Sequence, residues 1–591
     1  MPSTKSQSRL SKQRTQKAGH SSKTPEVSPA TRPPSHLQPA MSEPTSAGSN
    51  RLSHQRWAAV IASLGSLALC LVIYLLRLDR VVGLYSDDAW YVLLAKALAT
   101  GHGYTLINSP SPGITPLYPP AFAWLLSLVF RVAPDFPQNV WLLKSVSIAA
   151  MLGVGVAAYY YFARVRKLPF YLSLGLATAI VIHPAFTFLA ASTVMSECVF
   201  TLAQLLTVVV IERVVSAGRH ELAWRYTLLG AALASAAFLT RSAGAALIVA
   251  VMIYLLKERL TRAAAIFALG VAVLVGPWMI YTRMHAPTAA QQAEQNNYIV
   301  DGYATAFWQA RASYSGLGTI SLSDLPERVL NNTFHMLEYD AGALLVYPVY
   351  RAVEPVEGKP REVQTALLSF ILCLLIITGF VAAVRERLGL AELVVPLSLV
   401  LTVIWPFWPF RFILPLLPWA MLYALFGVRA IFRLGTRLLR HHQPRSSWAM
   451  LGGAAACLAA ISLYGNLTYI LSLHGPESER PRWVRAYDEN VALYQWLDKH
   501  TAPQSVIAAQ NPALLHLFTG HKTIGSWEPG KNWEYWKQLG VRYLVSTSSS
   551  PVDEPNWAER RYPIVYQSDW LKLRVLDFGE AQSRRIWIDN P

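Results

Sequence analysis

Charge is scarce in this chain. Only 15% of its 591 residues are Asp, Glu, Lys or Arg, against roughly 25% in an average soluble domain, and that excludes an ordinary soluble globular protein. Cysteine is scarcer still. The four cysteines, Cys70, Cys198, Cys373 and Cys457, all lie inside or at the ends of apolar blocks. A disulfide framework needs paired cysteines in exposed segments, so none is expected. No Walker phosphate loop is present. Gly101-His102-Gly103 follows no strand and lacks the remaining glycines of a dinucleotide fingerprint, which leaves no sign of a nucleotide site. No secretory signal is expected, because the first apolar run begins only at Trp57 and shows no small-residue cleavage site.

What is plentiful is apolar side chain. The hydrophobic share is 53% and the mean hydropathy +0.29. The excess falls into blocks of about 20 residues, long enough to cross a bilayer as helices. Eleven spans are expected, near 57–76, 140–163, 170–190, 197–212, 226–240, 243–256, 263–282, 364–384, 391–408, 412–428 and 448–470. Ala121 to Val132, after Tyr118-Pro119-Pro120, is too short to span and reads as a helix lying at the interface. The fold class is therefore a polytopic α-helical membrane protein of about 11 transmembrane helices with a small C-terminal extracytoplasmic α/β domain. Residues 1–56, rich in Ser, Thr, Pro, Gln and Lys, form a basic cytoplasmic tail that cannot offset the entropy of ordering. Residues 57–470 form the membrane module, with outer loops at 77–139 and 283–363. Residues 471–591 form the outer domain. There Val491–His500 is helical in pattern, Ser505–Ala509 and Val541–Val545 are β-rich, and Ile564–Gln567 with Leu571–Phe578 reads as a closing pair of strands.

Charge placement tests the topology. With the tail inside, the tail and the five inner loops hold 25 of the 52 Lys/Arg but only a handful of the 35 Asp/Glu. That is the positive-inside asymmetry of an integral membrane protein, and it accounts for the net charge of +17 without nucleic acid. The lack of sorting motifs favours a bacterial plasma membrane.

Chemistry is concentrated at the outer margin. Leu84-Tyr85-Ser86-Asp87-Asp88-Ala89-Trp90-Tyr91 follows the first span and opens a helix. Ser86 or Asp87 capping that helix is one reading; a carboxylate acting as general base on an incoming hydroxyl is the other. Glu197 in Met195-Ser196-Glu197, Lys144 at the start of the second span, Arg241 in Leu239-Thr240-Arg241 and Arg411 in Pro409-Phe410-Arg411-Phe412 lie at the same face. Taken singly, each reads equally well as a snorkelling interfacial charge. Together, cations beside carboxylates suit an anionic, lipid-borne substrate. His441-His442 lies inside among arginines, and a metal role there is discounted. Trp483, Trp496, Trp527, Trp533, Trp536, Trp557 and Trp570 crowd the outer domain, where core packing outweighs stacking on sugars. Asn331-Asn332-Thr333 is an outer-side sequon.

These motifs, with the Tyr118-Pro119-Pro120 helix and Arg411-Phe412-Ile413-Leu414-Pro415, resemble the GT-C superfamily of polyprenyl-phosphate-sugar-dependent glycosyltransferases. That superfamily includes protein O-mannosyltransferases, the lipid A aminoarabinose transferase and a group of lipopolysaccharide-sugar transferases. The resemblance covers spans one to seven and, more loosely, the C-terminal domain. It implies an inverting transfer of sugar from a polyprenyl-phosphate donor to an acceptor hydroxyl on a glycan, lipid or protein. It also implies Asp87 as base with Asp88 supporting it, and Lys144, Arg241 and Arg411 on the donor phosphate. Glu197 falls near the acceptor or donor sugar, and Tyr118 joins the substrate-binding set. No cofactor and no obligatory metal are expected. The second acidic residue is Asp where relatives also carry Glu, which leaves the division of labour within the pair open. Two other readings remain: a transporter or flippase of lipid-linked saccharide, and a non-catalytic envelope-assembly protein. A transporter usually shows internal repeats and helices broken at the midplane; no repeat is evident here and the key charges sit at one face, while Asn296-Asn297-Tyr298 and Tyr303 to Trp308 would lie near the acceptor entrance.

Overall fold

The computed structural model describes residues 46–579 except 112, 117, 218–222, 296–298, 301, 312–316, 353–362, 408–409, 439–446, 527–535 and 547–561. Most of the expected tail, His441-His442, Asn296-Asn297-Tyr298, Trp527, Trp533 and Trp557 fall outside the described residues. The chain divides into a short unit, Met1–Ala58, and a large body, Ala59–Pro591; the body carries everything that follows.

Each of the eleven expected spans is helical. Seven helices are long and apolar enough to cross a membrane, and the pair Phe170–Val181 and Pro184–Ala191, bent by 49°, can make an eighth. The bend has a local cause. Pro184 has no amide hydrogen and excludes a helical conformation at the residue before it, and His183 is accordingly extended. The helices Ala223–Thr240, Gly244–Lys257 and Ala391–Ile404 complete the eleven. The last two, at 14 residues each, reach about 21 Å at 1.5 Å per residue, short of a hydrocarbon core of about 30 Å. The long helices turn large apolar side chains outward, among them Ile61, Leu75, Leu269 and Val363. Bare apolar surface of this kind, on helices whose backbone bonds are internally satisfied, suits lipid as the solvent: the protein is an integral membrane protein. Val363–Glu386 packs closely on Leu417–Leu438 because both present glycine. A Cβ at Gly379 would strike the Tyr423 carbonyl oxygen, and one at Gly427 the Leu375 carbonyl oxygen, the small-residue contact that lets membrane helices approach.

Ala121–Val132 is a separate amphipathic helix. It buries Phe122, Ala123, Leu126 and Phe130 and exposes Trp124, Leu128 and Val132, as an interfacial helix should. Beyond Ser447–His474, the helix Arg482–His500 leads into a five-stranded sheet. Its strands are β1 (Val506–Ala509), β2 (Lys522–Gly525), β3 (Val541–Ser546), β4 (Ile564–Gln567) and β5 (Arg574–Asp577), in the order β2-β1-β3-β5-β4. The first three are parallel and the last two join antiparallel. The short β2 and the helix Pro512–Thr519 were not legible beforehand.

This sheet does not stand apart. One buried core contains Trp90, Leu93 and Phe122 from the first outer loop together with Leu493, Ile507, Leu514 and Val575 from the C-terminal segment. The Asn511 amide donates to the Gly83 carbonyl (2.9 Å), and the Thr523 backbone amide donates to the Asn108 carbonyl (2.8 Å). Gly83 has φ +87, and a Cβ there would meet Leu514 at 2.6 Å, so glycine is required by both conformation and space.

Candidate active site

The first outer loop turns sharply before its acidic pair. Ser86 adopts φ 59 and makes no side-chain cap, so Ser86 does not cap this helix. Asp88 closes the turn instead, its carboxylate accepting from the backbone amides of Gly83 (2.8 Å) and Tyr85 (3.2 Å). It is fully buried. Burial pushes its carboxyl up to about 6, with Asp87 adding to the rise and the two amides opposing it.

Asp87, the first residue of the Asp87–Ala99 helix, points the other way. Its Oδ1 accepts from the Tyr118 hydroxyl (2.8 Å), and its Oδ2 takes the Arg411 guanidinium at 2.5 Å. Arg411 Nε lies 3.0 Å from Glu197 Oε1, and Arg241 Nη1 lies 3.0 Å from the same oxygen. These two approaches are ion pairs off the hydrogen-bond line, and Glu197 Oε2 is buried with no hydrogen-bond partner among the described residues. Arg241 also donates to Ser196 Oγ (3.0 Å), which lies 3.2 Å from the Tyr91 hydroxyl. The Tyr91 and Tyr118 rings meet at 5.3 Å, closing the circle.

Helix ends place these groups. Asp87 and Glu197 each begin a helix, where the backbone dipole favours negative charge, and Arg241 follows the last residue of Ala223–Thr240, where it favours positive charge. Aromatic faces hold the cations: Arg411 lies over Tyr85 (5.3 Å) and Arg241 over Phe412 (5.6 Å).

Five predicted residues, Asp87, Tyr118, Glu197, Arg241 and Arg411, thus form one cluster, with Asp88 behind it. Lys144 is not brought into it. Its ammonium, 0% exposed, donates to the Asp79 carboxylate and carbonyl, both at 2.7 Å. Tyr91 and Ser196 join the ring unannounced; both stood within quoted motifs, but neither carries a charge that a scan of span margins detects. Of the tryptophans, Trp536 is wholly buried, Trp483 stacks on Tyr469 and Trp496 on His500, whereas Trp570 is partly exposed beneath Arg485. At the opposite helix ends a second set of charges is saturated. Arg166 pairs with Glu392 (2.8 Å), and Arg387 and Tyr254 donate to Glu212 (2.7 and 3.1 Å).

No family model and no curated protein matches the sequence. Solved structures do match. ArnT from Cupriavidus metallidurans bound to undecaprenyl phosphate aligns over 87% of this chain and 97% of its own, at 13% identity and a TM-score of 0.53. The apo state of the same protein aligns over 88% and 98%, at 14% identity and 0.53. The Archaeoglobus fulgidus oligosaccharyltransferase aligns over 82% and 69%, at 12% identity and 0.46. At such identities the likeness to ArnT is one of fold alone.

Proposed function

We propose that this protein is a membrane glycosyltransferase that moves a sugar from a polyprenyl-phosphate donor to an acceptor hydroxyl with inversion. The carrying observation is the convergence of Asp87 and Glu197 with Arg411 and Arg241 in one cluster. The fold shared with ArnT, a protein solved with undecaprenyl phosphate, supports a lipid-phosphate donor. In this reading Asp87 takes the acceptor proton, and the acceptor oxygen attacks the anomeric carbon opposite the phosphate. The two guanidiniums bear the charge left on the departing polyprenyl phosphate, and no metal is called on. Each such contact is commonly worth about 3 kcal/mol, and general-base help contributes roughly 10²–10⁴-fold. Asp88 positions Asp87 through the turn it closes. Glu197 holds both cations and faces the sugar. The excess of basic residues in the tail and inner loops supports a site on the extracytoplasmic face of the membrane, which we read as a bacterial plasma membrane.

The test is transfer itself. Purified protein in lipid nanodiscs, offered a panel of polyprenyl-phosphate sugars with glycan, lipid and protein acceptors, should consume one donor. Asp87→Asn should abolish that consumption while leaving the protein folded. Transfer near the wild-type rate in Asp87→Asn would remove Asp87 from the chemistry, and a flippase would move lipid-linked saccharide across vesicles with either residue.

A further inference from the structure

Arg411 serves two acidic partners at once, and the charges around it decide what an arriving anion meets. Asp87 and Glu197 bring two negative charges, Arg241 and Arg411 two positive ones. The four groups are balanced and nearly enclosed, with Arg411 and Asp87 side chains 19% and 14% exposed and Glu197 at 0%. In such surroundings an additional anion needs a cation of its own, because unpaired charge is costly to hold away from water. A phosphate must therefore draw a guanidinium away from a carboxylate. Glu197 lies against both arginines and is wholly buried, whereas Asp87 keeps partial exposure and a second donor, the Tyr118 hydroxyl. Asp87 is the carboxylate that can release its arginine.

We propose that Asp87 and the donor's phosphate compete for Arg411, which acts as an exchangeable counter-ion, so that phosphate binding unmasks the base. The proposal rests on the glycosyltransferase reading above. Atoms and charge balance through the step. The acceptor O–H proton passes to Asp87, the acceptor oxygen bonds to the anomeric carbon, and the bond from that carbon to the phosphate oxygen breaks with its electron pair left on phosphate. Phosphate gains one negative charge as Asp87 loses one, and Arg411 follows the charge. Donor therefore binds before acceptor, and released polyprenyl phosphate inhibits until Asp87 reclaims the arginine.

Binding of undecaprenyl phosphate to the full chain in nanodiscs tests this without knowledge of sugar or acceptor. Relieved of its competitor, Asp87→Asn should bind the probe roughly tenfold tighter, since the population of free Arg411 rises. Arg411→Gln should bind at least tenfold more weakly, and in its background the gain from Asp87→Asn should shrink below about twofold. A gain of equal size in both backgrounds means simple repulsion between carboxylate and phosphate and overturns the competition, as does no gain at all. Tyr118→Phe supplies a second arm should Asp87→Asn fail to fold. Loss of the hydroxyl leaves Asp87 more dependent on Arg411, so the probe should bind several-fold more weakly; unchanged binding refutes the exchange, because the net charge is untouched. Failure of wild-type protein to bind the probe, or wild-type binding by both the Arg411→Gln and the Arg241→Gln variants, sinks the glycosyltransferase reading instead.

Discussion

Asp88 offers the sharpest physical test, because its carboxyl is buried and yet bound only to backbone amides. Its folded value of about 6 lies above its ordinary 3.8, with burial the largest cause. The sign follows from proton counting. Between these two values the unfolded chain has lost the proton that the folded chain retains, so stability falls as pH rises, and it levels off above about 6. The gap of about 2.2 units corresponds to ~3 kcal/mol at 1.36 kcal/mol per unit. Asp88→Asn keeps one acceptor for the Gly83 or Tyr85 amide and cannot ionise, so this slope should vanish. At pH 7 the variant should match or exceed wild type, whereas Asp88→Ala, which strands both amides, should lose about 1–3 kcal/mol for each donor left unsatisfied. The assay is thermal unfolding in detergent, followed by tryptophan fluorescence from pH 4 to pH 8. His516, lowered to about 4 by burial, acts in the opposite direction and loses stability as pH falls below 6.5. The quantity to read is therefore the difference between variant and wild type at each pH. Parallel profiles for Asp88→Asn and wild type would refute the reasoning.

Three further outcomes are expected. Lys144→Met leaves the Asp79 carboxylate buried without its ammonium and should destabilise by about 3–5 kcal/mol, seen as a lower Tm in detergent; adding Asp79→Asn should recover part of that loss. Gly379→Ala forces a methyl group onto the Tyr423 carbonyl and should abolish monodisperse protein in size-exclusion chromatography, whereas alanine at Gly452, with open space around its Cα, should not. Asn511→Ala removes the bond to Gly83 and the cap on Leu514. It should lower Tm by the equivalent of about 0.5–2 kcal/mol and reduce sugar transfer more than tryptophan-core variants of equal stability.

Much of the architecture was legible because bilayers impose a length and a charge asymmetry that a linear reading detects. The cluster was legible for a related reason: Asp87, Glu197, Arg241 and Arg411 are charges at helix ends, where burial without a partner is expensive. What the reading could not supply was pairing. Lys144 has the same credentials as Arg241, but Asp79, 65 positions earlier, takes its charge, and nothing in either residue's neighbourhood announces that meeting. The capping reading failed for a comparable reason. A positive-φ Ser86 turns the chain so that its own side chain makes no cap and the Asp88 carboxylate accepts from the Gly83 and Tyr85 amides. Helices such as Gly244–Lys257 read as spans because their composition is uniformly apolar, although their length is not that of a full crossing. Of the four described tryptophans of the outer domain, Trp536 is wholly buried, Trp483 and Trp496 are half-buried and Trp570 is exposed.

The seat of Gly83 on Leu514 and Asn511 has a consequence for biosynthesis. The loop that aims Asp87 is made 428 residues before the surface that sets its shape. A nascent chain halted before residue 511 would hold its charged side chains in the membrane without the support that orients them. Under the proposed function, the site would thus stay unformed until residues 511–514 have been made.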